Sequence, residues 1–220
     1  MPKLTNLFEI DFTGNEFVGT IPESLFTMTG LRHLALKQNS LHGTIATDMG
    51  RMQELRLLDL EANDLVGTIP LEVFSLTKLT HLRIGKNLLN GTLSSEVARL
   101  QNVVNLGINA NEITGTIPTE VGLMTALETL QFPATKMNGT IPTELGNLAN
   151  IYKLSMSFCD LTGTVPTEFA RLTTLRKLYL QSNNLTGNIN FLCEPPLLEM
   201  NPMRADQPAV TCDCCTCCTI

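Results

Sequence analysis

The tetrapeptide Gly115-Thr116-Ile117-Pro118 belongs to a pattern that returns along the chain every 24 residues. Its glycine recurs without a change of spacing at Gly19, Gly43, Gly67, Gly91, Gly115, Gly139, Gly163 and Gly187. A fixed period of this length is typical of stacked repeats, in which each unit buries its apolar face against its neighbours. The sequence therefore predicts one elongated domain without a linker, and it directs the search for function to a surface rather than to a central pocket.

Apolar residues stand nine and seven positions before each glycine, as Leu58 and Leu60 do before Gly67. A spacing of two is the strand period, so we expect a short strand in every repeat with these two side chains buried. Strands that return to the same edge after each repeat form a parallel sheet. Its exposed face is predicted to be concave.

The remaining fixed positions complete the coil. Asn stands four residues before the glycine in six repeats, and Thr135 and Cys159 replace it in the other two. A buried Asn amide at this bend would satisfy backbone hydrogen-bonding groups. The apolar residue and proline after the threonine predict a second extended segment. A carboxylate such as Glu144, followed by apolar residues spaced by three, predicts a short helical or 3₁₀ segment on the convex side.

The consensus Leu-x-x-Leu-x-Leu-x-x-Asn-x-Leu-x-Gly-Thr-Ile-Pro-x-Glu-Leu-x-x-Leu resembles the plant-type leucine-rich repeat and extends over about residues 1–191. The resemblance implies an α/β repeat solenoid, a curved right-handed superhelix with a parallel β-sheet on the concave face and short 3₁₀ or helical segments on the convex side. We expect residues 1–6 to be the remnant of a truncated preceding repeat, residues 7–191 to form eight repeats, and residues 192–220 to form a cysteine-rich cap.

Proteins of this class are typically receptor ectodomains, receptor-like proteins or secreted inhibitors of cell-wall enzymes. The resemblance therefore implies non-catalytic recognition of a protein, peptide or glycan outside the cell. In agreement, no Ser/His/Asp, paired-acid or metal-ligand set stands at a meaningful spacing, so neither an enzyme nor a cofactor is predicted. The formal net charge of −6, without a Lys/Arg run, argues against nucleic acid as a partner.

Several features bear on the compartment. No apolar run is long enough to span a membrane, and the N-terminus lacks the features of a signal peptide. The chain begins inside a repeat. We therefore expect upstream repeats and a signal peptide to be missing from this sequence. Glycosylation sequons begin at Asn90, Asn138 and Asn184. An extracellular location is predicted, either as a secreted glycoprotein or as a fragment of a receptor-like membrane protein.

Six of the seven cysteines lie in the last 28 residues. We expect a disulfide-bonded cap over the end of the stack, and the tail is similar to the ends of leucine-rich-repeat proteins of algae such as diatoms. The alternative is a thiolate metal cluster, although zinc normally takes two separated cysteine pairs. The odd count leaves one cysteine over, and Cys159 is our candidate because it lies in the Asn column. The disulfide candidates are Cys193, Cys212, Cys214, Cys215, Cys217 and Cys218.

The exposed columns of the predicted concave face change along the chain. His33 and His81 share a column two repeats apart, about 10 Å at the usual strand spacing, which is too far for one metal ion. Repeats six to eight carry an unusual mixture of aromatic, lysine and polar residues, explained either by drift or by a binding patch anchored by Tyr179 and Phe158. The predicted ligand-binding residues are Lys153, Ser155, Phe158, Lys177, Tyr179, Gln181, Gln131, Arg83 and His81.

A row of seven threonines follows the repeated glycine, at Thr20, Thr44, Thr68, Thr92, Thr116, Thr140 and Thr164. One interpretation is architectural, because β-branched residues favour an extended segment and neighbouring threonines pair well. The other is functional. A regular threonine ladder on one flank would suit a protein that adsorbs to ice or to a crystal surface, and this is the alternative to ligand recognition by the concave face.

Overall fold

The structure, a computed structural model, describes residues 6–192 and 210–211. The described part is a solenoid of eight coils, and each coil contributes one strand to an eight-stranded parallel sheet. In spatial order this concave sheet comprises β1 Glu9–Asp11, β3 His33–Ala35, β5 Leu57–Asp59, β7 His81–Arg83, β9 Asn105–Gly107, β11 Thr129–Gln131, β13 Lys153–Ser155 and β15 Lys177–Tyr179. The spatial order follows the chain order, as the fixed repeat period predicts.

The second extended segment of each coil also pairs with its neighbours and forms a flank of two parallel sheets joined by a bridge between Thr92 and Thr114. The first sheet comprises β2 Val18–Gly19, β4 Ser40–Thr44, β6 Asp64–Thr68 and β8 Leu88–Asn90. The second comprises β10 Thr114–Thr116, β12 Lys136–Thr140, β14 Asp160–Thr164, β16 Asn184–Asn188 and β17 Val210–Thr211. Six of these strands, β4, β6, β10, β12, β14 and β16, end at the residue after the repeated glycine, which is earlier than the Ile-Pro step from which the extended segment was predicted.

The convex side carries the predicted short helices, and all of them are 3₁₀ turns. A carboxylate such as Glu144 lies in the first turn of each of the seven longer ones, but of their N-cap side chains only Ser94 accepts a backbone hydrogen bond in the part of the chain that the structure describes. The turns are Glu23–Thr27, Thr47–Arg51, Leu71–Ser75, Ser95–Arg99, Thr119–Leu123, Thr143–Asn147, Thr167–Arg171 and Asn190–Leu192.

One continuous core fills the space between the sheets and the 3₁₀ turns. Leu58 and Leu82 are register partners in the concave sheet, and they are 0% and 1% exposed. The apolar column seven residues before the glycine is buried in repeats two to eight, as predicted. Phe12 is the exception at 45% exposed, and its ring packs against Phe17 with 5.2 Å between ring centroids.

The Asn column has the structural role that the sequence predicted. The side-chain oxygen of Asn87 accepts from the Leu65 backbone N–H at 3.0 Å, and its amide donates to the carbonyls of Leu60 at 3.0 Å and Ile84 at 3.1 Å. One side chain thereby ties three backbone segments of two coils together. Where the column departs from Asn, the hydroxyl of Thr135 and the thiol of Cys159 lie 3.3 Å apart and share the Phe132 carbonyl as acceptor.

The repeated glycine is required twice over, as Gly139 illustrates. Its φ of +76° lies in the left-handed region, which disfavours residues with a Cβ. A Cβ at this position would also lie 2.9 Å from the γ-methyl of Thr116 in the preceding coil. The threonine row therefore has an architectural role, because each methyl group covers the glycine of the next coil.

Candidate functional site

The concave face has a depression of about 340 Å³ across its central strands. It exists because Gly107 lies in register between Arg83 and Gln131, so that one strand lacks a side chain where both neighbours have long ones. In the next column Gly85 also lacks a side chain, and the Asn109 amide lies where its Cβ would be. The depression is lined by Lys37, Glu61, Arg83, Gly85, Lys86, Asn105, Gly107, Asn109 and Gln131.

Charged groups on one side of the depression are held in a network. Glu61 contacts the ammonium groups of Lys37 at 3.1 Å and Lys86 at 2.9 Å. Burial opposes its ionisation, but the hydrogen bonds from the two lysines outweigh that effect and lower the pKa of Glu61. Asp59 is buried and lies 3.5 Å from Arg83. This part of the face therefore presents basic groups whose charge is largely balanced within the protein.

The floor of the depression contains an unsatisfied acceptor. The side-chain oxygen of Asn105 is buried and has no hydrogen-bond partner among the described residues. Its register partner across the strands is His81, and burial together with the positive charge of Arg83 lowers the pKa of that imidazole. A buried acceptor without a partner is costly, so this position is suited to a donor group supplied from outside the chain.

A second feature, the lysine–tyrosine patch, lies on the last strands of the face and comprises Gln131, Tyr152, Lys153, Lys177 and Tyr179. The ammonium of Lys153 donates to the Gln131 side-chain oxygen at 2.7 Å and lies 5.7 Å from the centroid of the Tyr179 ring. The ammonium of Lys177 lies 5.9 Å from the centroid of the Tyr152 ring. Both distances are within the range of cation–π contacts.

The structure thus brings together four of the predicted residues, Gln131, Lys153, Lys177 and Tyr179. Ser155 is only 6% exposed and forms the floor beneath this patch rather than its surface. Phe158 is 57% exposed and has a φ of +56°. It lies in the row of positive-φ residues that follows the concave strands, and Ser182, the residue after Gln181, lies in the same row. His81 and Arg83 lie two strands from Gln131, across the depression.

Residues of both features were missed in the sequence. Tyr152 lies just before its strand and outside the columns predicted to face the ligand. Asn105 and Asn109 are ordinary polar residues in exposed columns, and nothing in the sequence distinguishes them. Gly85 and Gly107 did carry a signal, because they stand in columns where neighbouring repeats have Glu61, Arg83 or Gln131. A glycine outside the conserved position of a repeat indicates a gap in the surface.

The threonine row is exposed along the flank, but its members are not strand neighbours. In this sheet partners are 22 residues apart, so that Thr140 lies opposite Thr162 and Thr164 opposite Thr186. Successive members of the row are therefore about 8 Å apart, from a strand spacing of about 4.8 Å and an offset of two residues. The expectation that they pair with one another is wrong, since from Thr44 to Thr164 each member pairs with the residue before the next glycine.

The predicted glycosylation sites are also on the flank. Asn90, Asn138 and Asn184 are all exposed. The six cysteines from Cys193 to Cys218 lie outside the described residues, whereas Cys159 is a free, buried thiol. Within the described ranges, no helix has the length and apolar character to cross a membrane, and no group of three metal-ligating side chains occurs.

The coils, the Asn column and the concave parallel sheet define the class: the chain is a leucine-rich-repeat protein with the plant-type repeat. The Leucine Rich Repeat family profile matches residues 150–172. A segment of 45 residues, 20% of the chain, is 49% identical to Cuscuta receptor 1 of Solanum lycopersicum and covers 4% of that protein.

Two solved structures have the same fold over most of the chain. The plant peptide hormone receptor RGFR1, in complex with RGF2, is 30% identical with a TM-score of 0.86, over 91% of this chain and 32% of the receptor chain. A plant ice-binding protein is 23% identical with a TM-score of 0.78, over 91% of this chain and 64% of that one. The chain thus spans about a third of the hormone receptor and under two thirds of the ice-binding protein.

Proposed function

We propose that this chain is a non-catalytic recognition module that binds an extended peptide along its concave face. The observation that carries the proposal is the arrangement of the two features on one continuous parallel sheet. From β3 to β15 there are six strand intervals, or about 29 Å at 4.8 Å each, which is the length of roughly nine extended residues. A peptide lying across the strands would contact both the depression and the lysine–tyrosine patch.

The chemistry of the two features supports a peptide. The unpartnered oxygen of Asn105 would accept from a backbone or side-chain N–H of the ligand. The rings of Tyr152 and Tyr179 supply rigid apolar surface with a polar edge, a common composition at the centre of interfaces. The likeness to a plant receptor whose structure holds a peptide hormone is in keeping with this use of the face.

The proposal includes a location outside the cell. It is supported by the likeness to plant receptors and by the exposure of the sequon residues Asn90, Asn138 and Asn184. Glycans at these positions would project from the flank and leave the concave face open. Expression through a secretory pathway, followed by mass spectrometry before and after glycosidase treatment, tests this part. We expect glycans at one or more of the three sites and disulfides in the cysteine-rich tail.

The binding proposal is tested with an array of nonapeptides probed with the purified, labelled chain. We expect a defined set of peptides to bind, and Tyr179→Ala to weaken their binding at least fivefold, because the substitution removes the ring that packs beside Lys153. Leu123→Ala is the matched control, since Leu123 is an exposed apolar residue on the convex side. An array with no selected peptide, or equal affinities for wild type and Tyr179→Ala, would contradict the proposal.

The alternative function is adsorption to ice through the flank. One observation favours it: threonine pairs face each other across adjacent flank strands, Thr92 with Thr114, Thr140 with Thr162 and Thr164 with Thr186. Glycans at Asn90 and Asn138 would cover this surface, so adsorption and glycosylation at these sites exclude each other. Thermal hysteresis of the unglycosylated protein, abolished by Thr140→Lys, would support adsorption. Absence of hysteresis at high protein concentration would eliminate it.

A further inference from the structure

The two lysines of the lysine–tyrosine patch carry positive charges that the carboxylates of the described residues do not neutralise. Lys153 and Lys177 are register partners on neighbouring strands, so their backbones are about 4.8 Å apart. Among the described residues, neither ammonium group forms an ion pair with a carboxylate. The basic groups beside the depression differ in this respect, because Lys37 and Lys86 contact Glu61 and Arg83 contacts Asp59.

The contacts that these lysines do make orient them without balancing their charge. Lys153 donates to the neutral amide oxygen of Gln131, and each ammonium lies against the ring of a tyrosine. Burial, and after it the charge of Lys177, lowers the pKa of Lys153, which indicates that the Lys153 cation is held at a cost. A carboxylate placed between them would offset both the repulsion and the burial.

The surroundings restrict the anion to a single group. The protein has a formal net charge of −6, which disfavours a polyanionic ligand. The exposed residue Glu128 borders the patch, and its backbone carbonyl accepts from the N–H groups of Tyr152 and Lys153. Its side chain acts electrostatically on His81, and it would repel further negative charges that the ligand carried toward the depression. A peptide with one carboxylate at this position fits the patch better than a chain of phosphates or uronates.

We propose that the peptide bound by the concave face places one carboxylate between Lys153 and Lys177, where the rings of Tyr152 and Tyr179 flank it. The inference rests on the proposed function and adds the chemistry of the ligand to it. The carboxylate comes either from an Asp or Glu side chain or from the peptide's C-terminus. Both sources offer the same two oxygens to the lysines, and the experiment separates them.

The probe is a library of acetylated nonapeptides in which one position at a time is fixed as Glu or Gln and the others are randomised. Each set is made as the C-terminal amide and as the free acid. The immobilised proteins are the wild type, Lys177→Gln, Lys153→Gln/Lys177→Gln and Lys78→Gln. Lys78 is the matched control, because it already pairs with Glu54 at 2.6 Å away from the patch. Circular dichroism and thermal denaturation verify that every variant is folded.

We expect the wild type and Lys78→Gln to prefer Glu over Gln at one or two adjacent positions, or the free acid over the amide, by about tenfold. Lys177→Gln should reduce this preference, and the double variant should remove it while still capturing neutral peptides weakly. The affinity of the preferred peptides should fall as NaCl is raised. The salt series tests the inference on the wild type alone, without reliance on the double variant.

Peptides captured without any preference for a carboxylate would overturn the inference and leave peptide recognition intact. An acid preference that the double variant retains would also overturn it. If no peptide is captured, the proposed function itself is wrong and the inference falls with it. Capture of hexagalacturonate in a parallel arm, with no capture of peptides, would have the same consequence, because it would assign the patch to an acidic glycan.

Discussion

Replacing Asn87 with alanine should destabilise the solenoid, because this side chain joins backbone groups of two coils at the bend. The side chain is 6% exposed and accepts from Leu65 N–H while donating to the carbonyls of Leu60 and Ile84. Alanine leaves one buried N–H without its acceptor and two carbonyls without this donor. Both carbonyls keep a second donor, because Leu60 also accepts from the Asn63 amide and Ile84 from the Asn111 amide. The Leu65 N–H is therefore the group left unsatisfied, and at about 1–3 kcal/mol for such a buried group we expect a loss in that range.

The loss is measured as the change in the free energy of unfolding in urea, together with hydrogen exchange at the Leu65 amide. Exchange at Leu65 should accelerate even if the array unfolds in more than one step. Asn87→Thr should cost about half as much, because Thr135 and its hydrogen bond to Phe132 occupy the same column in repeat six. Asn147→Ala, at an exposed position of a 3₁₀ turn, is the control and should stay within about 0.5 kcal/mol of wild type.

A loss below about 1 kcal/mol for Asn87→Ala would refute this reasoning. So would unchanged exchange at Leu65, since it would mean that the backbone finds another acceptor. Water entering the space of the amide is the physical route to such a result. In that case Asn87→Thr and Asn87→Ala would have similar stabilities, and the Asn column would have to be explained by packing instead.

Three further predictions concern other parts of the coil. Gly139→Ala should lower the free energy of unfolding in urea by about 2 kcal/mol, because the site has a positive φ and the new Cβ would meet the Thr116 methyl. Adding Thr116→Ser removes that methyl and should restore part of the lost stability. No recovery in the double variant would exclude the steric contribution. Cys159→Asn should raise the unfolding temperature by restoring the Asn column, and a lower temperature would contradict the assigned hydrogen bonds. Burial and the charge of Arg83 lower the pKa of His81 below its ordinary value of 6.5. The stability that neutral His81 contributes is therefore present above pH 6.5 and is lost as the pH falls through the lowered folded-state pKa. An NMR titration of His81 measures that pKa, and His81→Gln should reduce the pH dependence of the unfolding free energy.

The fold was predictable because each element depends on neighbours that carry the same residue types. Leu58 packs on Leu82, and Asn87 bonds to backbone groups that every coil presents in the same way. A repeated local pattern therefore specifies the strand, the bend and the 3₁₀ turn together. Phe12 shows the limit of that reasoning, because it has the right residue type for its column but is largely exposed.

The site was predictable only in part. Gln131, Lys153, Lys177 and Tyr179 were predicted as members of one surface because strand periodicity places their columns on the concave face. Their mutual contacts were not predictable, since Lys153 reaches the ring of Tyr179, which lies diagonally opposite on the neighbouring strand, rather than its register partner Lys177. Tyr152 was missed because periodicity does not describe side chains at the strand ends, and the depression was missed because it consists of side chains that are absent.

The sequence by itself determined the 24-residue coil, its parallel concave sheet and the structural role of its glycine and asparagine columns, because these depend on spacing and residue type. Only the tertiary structure decided how the coils are offset. The two-residue stagger of the flank strands separates the threonines of the row and seats their methyl groups on the following glycines. It likewise decided which lysines keep an unbalanced charge, because ion pairing depends on which side chains of neighbouring coils reach one another.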